Sequence, residues 1–502
     1  MYNKQSNTRI LITVAIITAL MLSAMAARYW IASIINTIQV EPSHKKQEWM
    51  TVFVHGSFAT TLGLISVFNV IKDKIHKTNY KKMTRLMRKD PFFYQMQPLQ
   101  ELGLKPLEPT FDPKGLTHKY AAFPIAAAYE TLSALAHNEK EKNYFYTFGW
   151  SGLVSQYRRR KEAIKLYSAL VTEYAALKAR GINPKIRLIA HSHGGNLILN
   201  MAGIHELLQK GVENEPSVDR YPDADQLTSM KEIHKLLQAP LPDIAPFHID
   251  ELIIFGTPIQ PETLSFCLSP FFKKIYNIYS DDDIIQSMDW VSTRRYYSEK
   301  RIALTPITTE QPVIVQIKIT LNKPTQNKES QKTAQQIRHV AAEATEMKEA
   351  LPEESNQAKA MGTLKDTINT IWARVFGSRQ SKTALDPLHK EFWFMGWKSR
   401  DQQILAQQHI QPYPYVILTP YIQKLVNKLP DAHDLDIVLK FGKETISLSA
   451  YTHNTTEKRR KIYINAAILK ELQHYAQAWQ PENITPSYEM ELLHQYSQML
   501  NS

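Results

Sequence analysis

From residue 51 onward, short apolar runs alternate with longer stretches of helical spacing. Val52-Phe53-Val54 stops at His55-Gly56, and Tyr144 to Phe148 stops at Gly149-Trp150-Ser151-Gly152. Ile186 to Ala190 runs into His191-Ser192-His193-Gly194-Gly195, Leu252 to Phe255 into Gly256-Thr257-Pro258, and Ile275 to Tyr279 into Ser280-Asp281-Asp282-Asp283. An amphipathic, basic stretch from Gln156 to about Arg180 is stopped by Gly181, and a second helical pattern follows Gly195 to about Leu208. Val313 to Leu321, with Val315, Ile317, Ile319 and Leu321 alternating with polar residues, reads as a last strand. Strands that alternate with helices predict βαβ units, hence an α/β fold with a mostly parallel sheet and helices on both faces. Ligands of such sheets bind outside the carboxyl ends of the strands. The first five runs each end in a small or polar cluster, so the pattern predicts one shared site.

Around this core, residues 50–321, the chain carries other segments. Ile10 to Ala27 is uncharged and follows a basic start, residues 1–9, with Lys4 and Arg9. It is about as long as a minimal bilayer span, and Ala24-Met25-Ala26 resembles a cleavage site, so it reads as a signal peptide or a signal anchor. The protein is therefore expected to be exported or held at a membrane. The stretch 59–142 is far longer than an ordinary connection and can hold a cap. It begins with Leu62, Leu64, Ile65, Val67, Phe68, Val70 and Ile71, then turns basic from Lys72 to Lys89, which suits an anionic lipid surface. Residues 322–387 are rich in Gln, Lys and Glu and read as a charged helical insertion, and 388–410 hold a candidate histidine segment. In the C-terminal extension, 411–502, Tyr413 to Leu418 and Asp436 to Tyr451 suggest strands, the latter a pair around Gly442, and Asn465 to Trp479 a helix, which makes a small α+β region.

Composition narrows the classes. Sixty Lys and Arg against forty-eight Asp and Glu leave a net charge of +12, which favours anionic partners without naming one. No interleaved aromatic platform accompanies the basic stretch, so nucleic acid is not the expected partner, and no protein partner is indicated. The single cysteine, Cys267, excludes an internal disulfide, and no Cys/His spacing fits a structural zinc site.

The most specific chemistry lies at Ala190-His191-Ser192-His193-Gly194-Gly195, between a strand and a helix. A nucleophile elbow needs small residues two before and two after its serine, because the turn is sharp. Ala190 and Gly194 meet that need, with Ala190 standing where G-x-S-x-G has its first glycine. A serine hydroxyl needs a base to take its proton and a carboxylate to orient that base. The acid is expected at the second strand end after the elbow, among Asp281, Asp282 and Asp283, of which at most one can face the base. For the base, the next histidine after the last strand is His339, in a charged helical stretch. His389 follows in Asp386-Pro387-Leu388-His389-Lys390-Glu391-Phe392-Trp393, on a loop before an aromatic segment, and is favoured.

These motifs resemble the α/β-hydrolase superfamily, and within it bacterial lipases and esterases. Val52 to Gly56 looks like the strand and HG turn before their oxyanion loop, Ala190 to Gly195 like their A-H-S-x-G-G elbow, Phe255 to Pro258 like their G-[ST]-P strand end, and Tyr279-Ser280 with Asp283 like a Y-S-x-x-D turn. The matches cover roughly residues 50–290 and a later histidine, and 322–387 departs from the family. The resemblance implies a serine hydrolase of carboxylic esters, most naturally lipid esters. Ser192 would be the nucleophile, Asp283 the acid with Asp282 as the alternative, and His389 the base. The oxyanion hole would use the N–H of His193, the residue after the nucleophile, and on the family pattern that of Ser57. Such chemistry requires no metal or organic cofactor. The competing expectation is a hydrolase-like, membrane-tethered binding module without turnover.

Overall fold

The computed structural model describes residues 46–57, 88, 91–107, 120–137, 141–153, 156–210, 247–281, 283, 286, 298–302, 312–322, 384–385, 389–394, 414–427, 434–440, 445–450 and 460–465. Each apolar run forms a strand, and most extend a few residues further at the amino end than the hydrophobic pattern marks. The strands are β1 (Gln47–Val54), β2 (Gly103–Leu107), β3 (Glu141–Gly149), β4 (Lys185–His191), β5 (Ile249–Phe255), β6 (Phe272–Tyr279) and β7 (Val313–Asn322). β3, β1, β4, β5, β6 and β7 lie side by side in that order, every neighbouring pair parallel. This is a general α/β fold with a mostly parallel, mixed sheet. β4 is buried along six of its seven residues, as expected of a strand covered on both faces.

The period of two sorts the β1 side chains between two layers. Met50, Val52 and Val54 enter a core with Ile164, Leu197 and Met201, from the helices α3 (Gln156–Ala179) and α4 (His193–Lys210). α3 ends one residue short of the expected Arg180, where Ile182 N–H reaches back to Leu177 C=O at 3.0 Å. Phe53 points to the other face and meets Tyr129 edge-on and Phe145 in a stack. Tyr129, on α2 (Ala122–His137), donates its hydroxyl to the side chain of Gln423 on α5 (Thr419–Asn427).

Part of the stretch expected to form a cap belongs to this body. After a short helix, α1 (Pro91–Gln95), β2 pairs antiparallel with β3 and extends the sheet, and α2 packs on the sheet through Tyr129 against Phe53 and Phe145. Pro106 within β2 is tolerated because β2 is an edge strand. Residues 58–87 and 108–119, which include most of the apolar and basic runs, lie outside the described residues, as do 10–27 and 323–383. Among the described residues no helix is long and apolar enough to cross a membrane.

The C-terminal region differs from the expected strands. Tyr415–Leu418 is a 3-10 turn that leads into α5, with all four residues buried. A continuous apolar run is equally compatible with strand and helix, and Pro414 sets an extended entry to the turn. β9 (Asp434–Lys440) joins the main sheet parallel to β7. β9 and β10 (Thr445–Ala450) are the expected pair of strands on either side of Gly442, and the ladder partner of β10 is β11 (Arg460–Asn465), in an antiparallel ribbon. The helix expected at Asn465 to Trp479 lies outside the described residues.

A polar row crosses the sheet. Thr51 on β1, Arg187 on β4 and Glu251 on β5 are register partners. Arg187, 1% exposed, lies 2.7 Å from Glu251 and 3.5 Å from Glu141, with its guanidinium 3.8 Å from the Trp49 ring.

Candidate active site

The ends of β1, β4 and β5 meet at residue 192, with the end of β3 held against that of β1 and the end of β6 against that of β5. β4 ends at His191 and α4 begins at His193, which leaves Ser192 alone to make the turn with φ +52°. A non-glycine residue held there stores about 1–3 kcal/mol of strain, sustained only by surrounding contacts. Its N–H donates to Phe255 C=O at 2.9 Å, while its own C=O accepts from Gly195 N–H and the Thr257 hydroxyl, both at 3.0 Å. The close approach of α4 to β1 explains Gly194: a Cβ there would lie 2.5 Å from the His55 carbonyl oxygen. Ala190, in place of the first glycine of the motif, is fully buried within β4.

The acidic turn after β6 resolves its own ambiguity in part. Asp281 is exposed and pairs with Lys318. Asp283 is fully buried, and its Oδ2 lies 2.7 Å from Nδ1 of His389. Asp283 Oδ1 accepts the Gln286 N–H at 3.1 Å, and the Gln286 side chain donates to Thr257 C=O at 2.7 Å. Asp282 lies outside the described residues. Because the carboxylate accepts, Nδ1 of His389 carries the proton and Nε2 is left as the basic nitrogen. Nε2 of His389 and Oγ of Ser192 are both buried and have no hydrogen-bond partner among the described residues.

His389, expected on a loop before an aromatic segment, opens a 3-10 turn, His389–Phe392, and is 3% exposed. Two backbone devices deliver it. A short strand, β8 (Ala384–Leu385), pairs antiparallel with the end of β7. The buried Phe392, Trp393 and Phe394 then anchor the following segment, with Trp393 edge-on to Phe53 at 6.4 Å. His339 lies outside the described residues, so the geometry speaks only for His389.

The HG turn is held by a contact that the sequence pattern did not reveal. His55, fully buried, accepts the Trp150 N–H at Nε2 (3.0 Å) and donates from Nδ1 to the Gly56 carbonyl (2.7 Å), while the Trp150 indole donates to the His55 carbonyl at 2.7 Å. Burial, reinforced by the nearby Arg88 cation, holds the His55 imidazole neutral, well below its ordinary pKa. Ser57, buried, follows Gly56, where a Cβ would lie 2.8 Å from Cβ of Ser192. The other expected oxyanion residue, His193, is also buried. Its Nδ1 accepts from Arg159, a fully buried arginine that also donates to Gln156 and Gln260. Sequence reasoning read Arg159 only as part of a basic helix, since nothing in a local pattern marks one arginine of a run as inward-facing.

Thus the structure brings Ser192, His193 and Ser57 to one strand-end cluster and joins His389 to Asp283 beside it. The groups brought together are a hydroxyl on a strained turn and an aspartate-held imidazole, which are not hydrogen-bonded to each other. Among the described residues no group of three or more His, Cys, Asp or Glu side chains could hold a metal ion. Compared with known proteins, the chain matches no family model, no curated protein and no solved structure.

Proposed function

We propose that the protein is a serine hydrolase of carboxylic esters that works through an acyl-enzyme. One observation carries this reading: a strained, buried serine on a strand-to-helix turn directly follows His191, whose ring lies 4.5 Å from that of a buried histidine held at Nδ1 by a buried aspartate. Strain at a non-glycine residue is retained where the conformation serves a purpose, and a buried hydroxyl and imidazole nitrogen without partners are otherwise costly.

The steps follow from the donor and acceptor assignments. Nε2 of His389 takes the Ser192 proton as Oγ attacks the ester carbonyl. Asp283 keeps the imidazole in the required tautomer and offsets the charge it gains. The negative charge on the carbonyl oxygen is met by the N–H groups of His193, at the amino end of α4, and of Ser57. His389 returns the proton to the departing alcohol, and water repeats the sequence to release the acid. The apolar 10–27 segment and the basic run before residue 90 support a lipid ester at a membrane surface as the substrate.

The test is covalent labelling. A fluorophosphonate probe is expected to label the full-length protein once, at Ser192, and Ser192→Ala to abolish labelling and hydrolysis of a short p-nitrophenyl ester. Labelling that survives Ser192→Ala would refute the assignment. A wild type that is neither labelled nor hydrolytic would favour the binding module.

A further inference from the structure

We infer that His191 is a positioning residue for the base: through Nε2 it clamps the His389 segment onto the strand that carries the nucleophile. The inference rests on the reading of Ser192 and His389 given above.

The clamp begins with covalent structure. His191 is bonded directly to Ser192, and its backbone is fixed in the ladder opposite Phe255. Whatever its ring holds is therefore referenced to the nucleophile itself. Its Nε2 lies 3.0 Å from the backbone carbonyl oxygen of His389. A carbonyl can only accept, so Nε2 of His191 carries the hydrogen. The ring also stacks on Trp393 at 5.5 Å and 10°, meets Phe394 edge-on at 6.1 Å, and lies 4.5 Å from the His389 ring. All these contacts are to residues 389–394, which return to the sheet after residues 323–383. β8 and the buried aromatic residues return this segment to the sheet, and the His191 ring refers it to the nucleophile itself.

Histidine suits the task better than the alternatives of similar size. Phenylalanine could stack but not donate, and lysine or arginine would place a permanent cation beside an imidazole that must itself become charged during turnover. Burial, together with the neighbouring charge of His389, keeps His191 well below its ordinary pKa, so it stays an uncharged donor. A misplacement of the base by about 1 Å can cost about 100-fold in rate, which sets the scale of the effect.

The experiment compares His191→Phe with His191→Gln in the full-length protein. His191→Phe keeps an aromatic ring and removes the donor, whereas the glutamine amide can reach the same carbonyl. The fluorophosphonate labelling rate and kcat are expected to fall about 10- to 100-fold in His191→Phe with KM within about twofold, and His191→Gln to recover at least about a third of the wild-type rate. A second readout does not depend on turnover: the low-field proton resonance of the His389 Nδ1–H should persist in wild type and His191→Gln and be broadened or lost in His191→Phe. Wild-type labelling and an unchanged resonance in His191→Phe would overturn the inference. So would equal losses in both variants, which would mark the ring as packing alone. If no protein is labelled at Ser192, the hydrolase reading fails, and the resonance still decides whether His191 holds His389.

Discussion

At residue 256 the chain has almost no latitude. Gly256 follows β5 with φ +56°, and a Cβ there would lie 2.8 Å from Oδ2 of Asp283 and 3.0 Å from Nδ1 of His389. The methyl group of alanine would occupy the space in which the acid and the base meet. Gly256→Ala is therefore expected to slow fluorophosphonate labelling at least about 100-fold, by displacing the Asp283–His389 bond, and to cost about 1–3 kcal/mol of stability from backbone strain. Labelling kinetics and urea denaturation of the same preparation check both parts; a wild-type labelling rate would show that the pair tolerates the displacement. The glycine-threonine-proline motif was legible in the sequence, but its reason was not. The methyl-sized gap exists only once the turn after β6 and the 3-10 turn at His389 fold against it.

Elements were legible in proportion to how far local pattern alone determines them. β4 and β5 are covered on both faces, so their apolar runs declared themselves, as did α3 with its glycine stop. β2 did not, because an edge strand with a proline and half-exposed side chains carries no periodic signal. Tyr415–Leu418 misled for the opposite reason, its uniform burial giving a run without a period. The polar row across the sheet was also hidden, since Arg187 looks like any charged residue at a strand start until Glu251 and Glu141 are placed beside it. A buried cation shared by two carboxylates stabilises little when intact but costs much when broken. Arg187→Met should therefore lower the unfolding free energy by about 3–5 kcal/mol, measured as a fall in the urea midpoint with an unchanged m-value. A loss below about 1 kcal/mol would mean that the two carboxylates find other partners.

Across the molecule, buried neutral histidines link stability to pH. His55 and His191 are both held well below the ordinary value near 6.5. Unfolded, they take up protons as pH falls through about 6.5, and folded they do not, so the unfolded state binds more protons and is favoured there. Their contribution is fully present above about pH 7 and is lost on acidification, with a slope of up to about 1.4 kcal/mol per pH unit for each ring. His55→Gln should therefore show a shallower decline than wild type between pH 6.5 and 5, read as the difference in urea-derived stability at the two pH values. Parallel declines would indicate that His55 becomes protonated in the folded protein. The site as a whole was readable as an ordered set of strand ends, whereas the clamps that hold it, His55 with Trp150 and His191 with the His389 segment, join residues about 95 and 198 positions apart. A histidine on each side of the serine was the only trace of the second clamp in the sequence.

The return of the chain at β8 has an evolutionary consequence. Asn322 and Ala384 are direct partners across the β7–β8 ladder, so the chain leaves the sheet and re-enters it at one point. The ladder therefore holds the two ends of the intervening segment together whatever its length. Doubling a connection between fixed ends costs only about 0.6 kcal/mol of closure entropy, so the number of residues there can drift by insertion and deletion while His389 stays in place. Divergent copies of this gene could then keep the same acid and base at very different separations along the chain, and no search keyed to a fixed interval between Asp283 and His389 would group them.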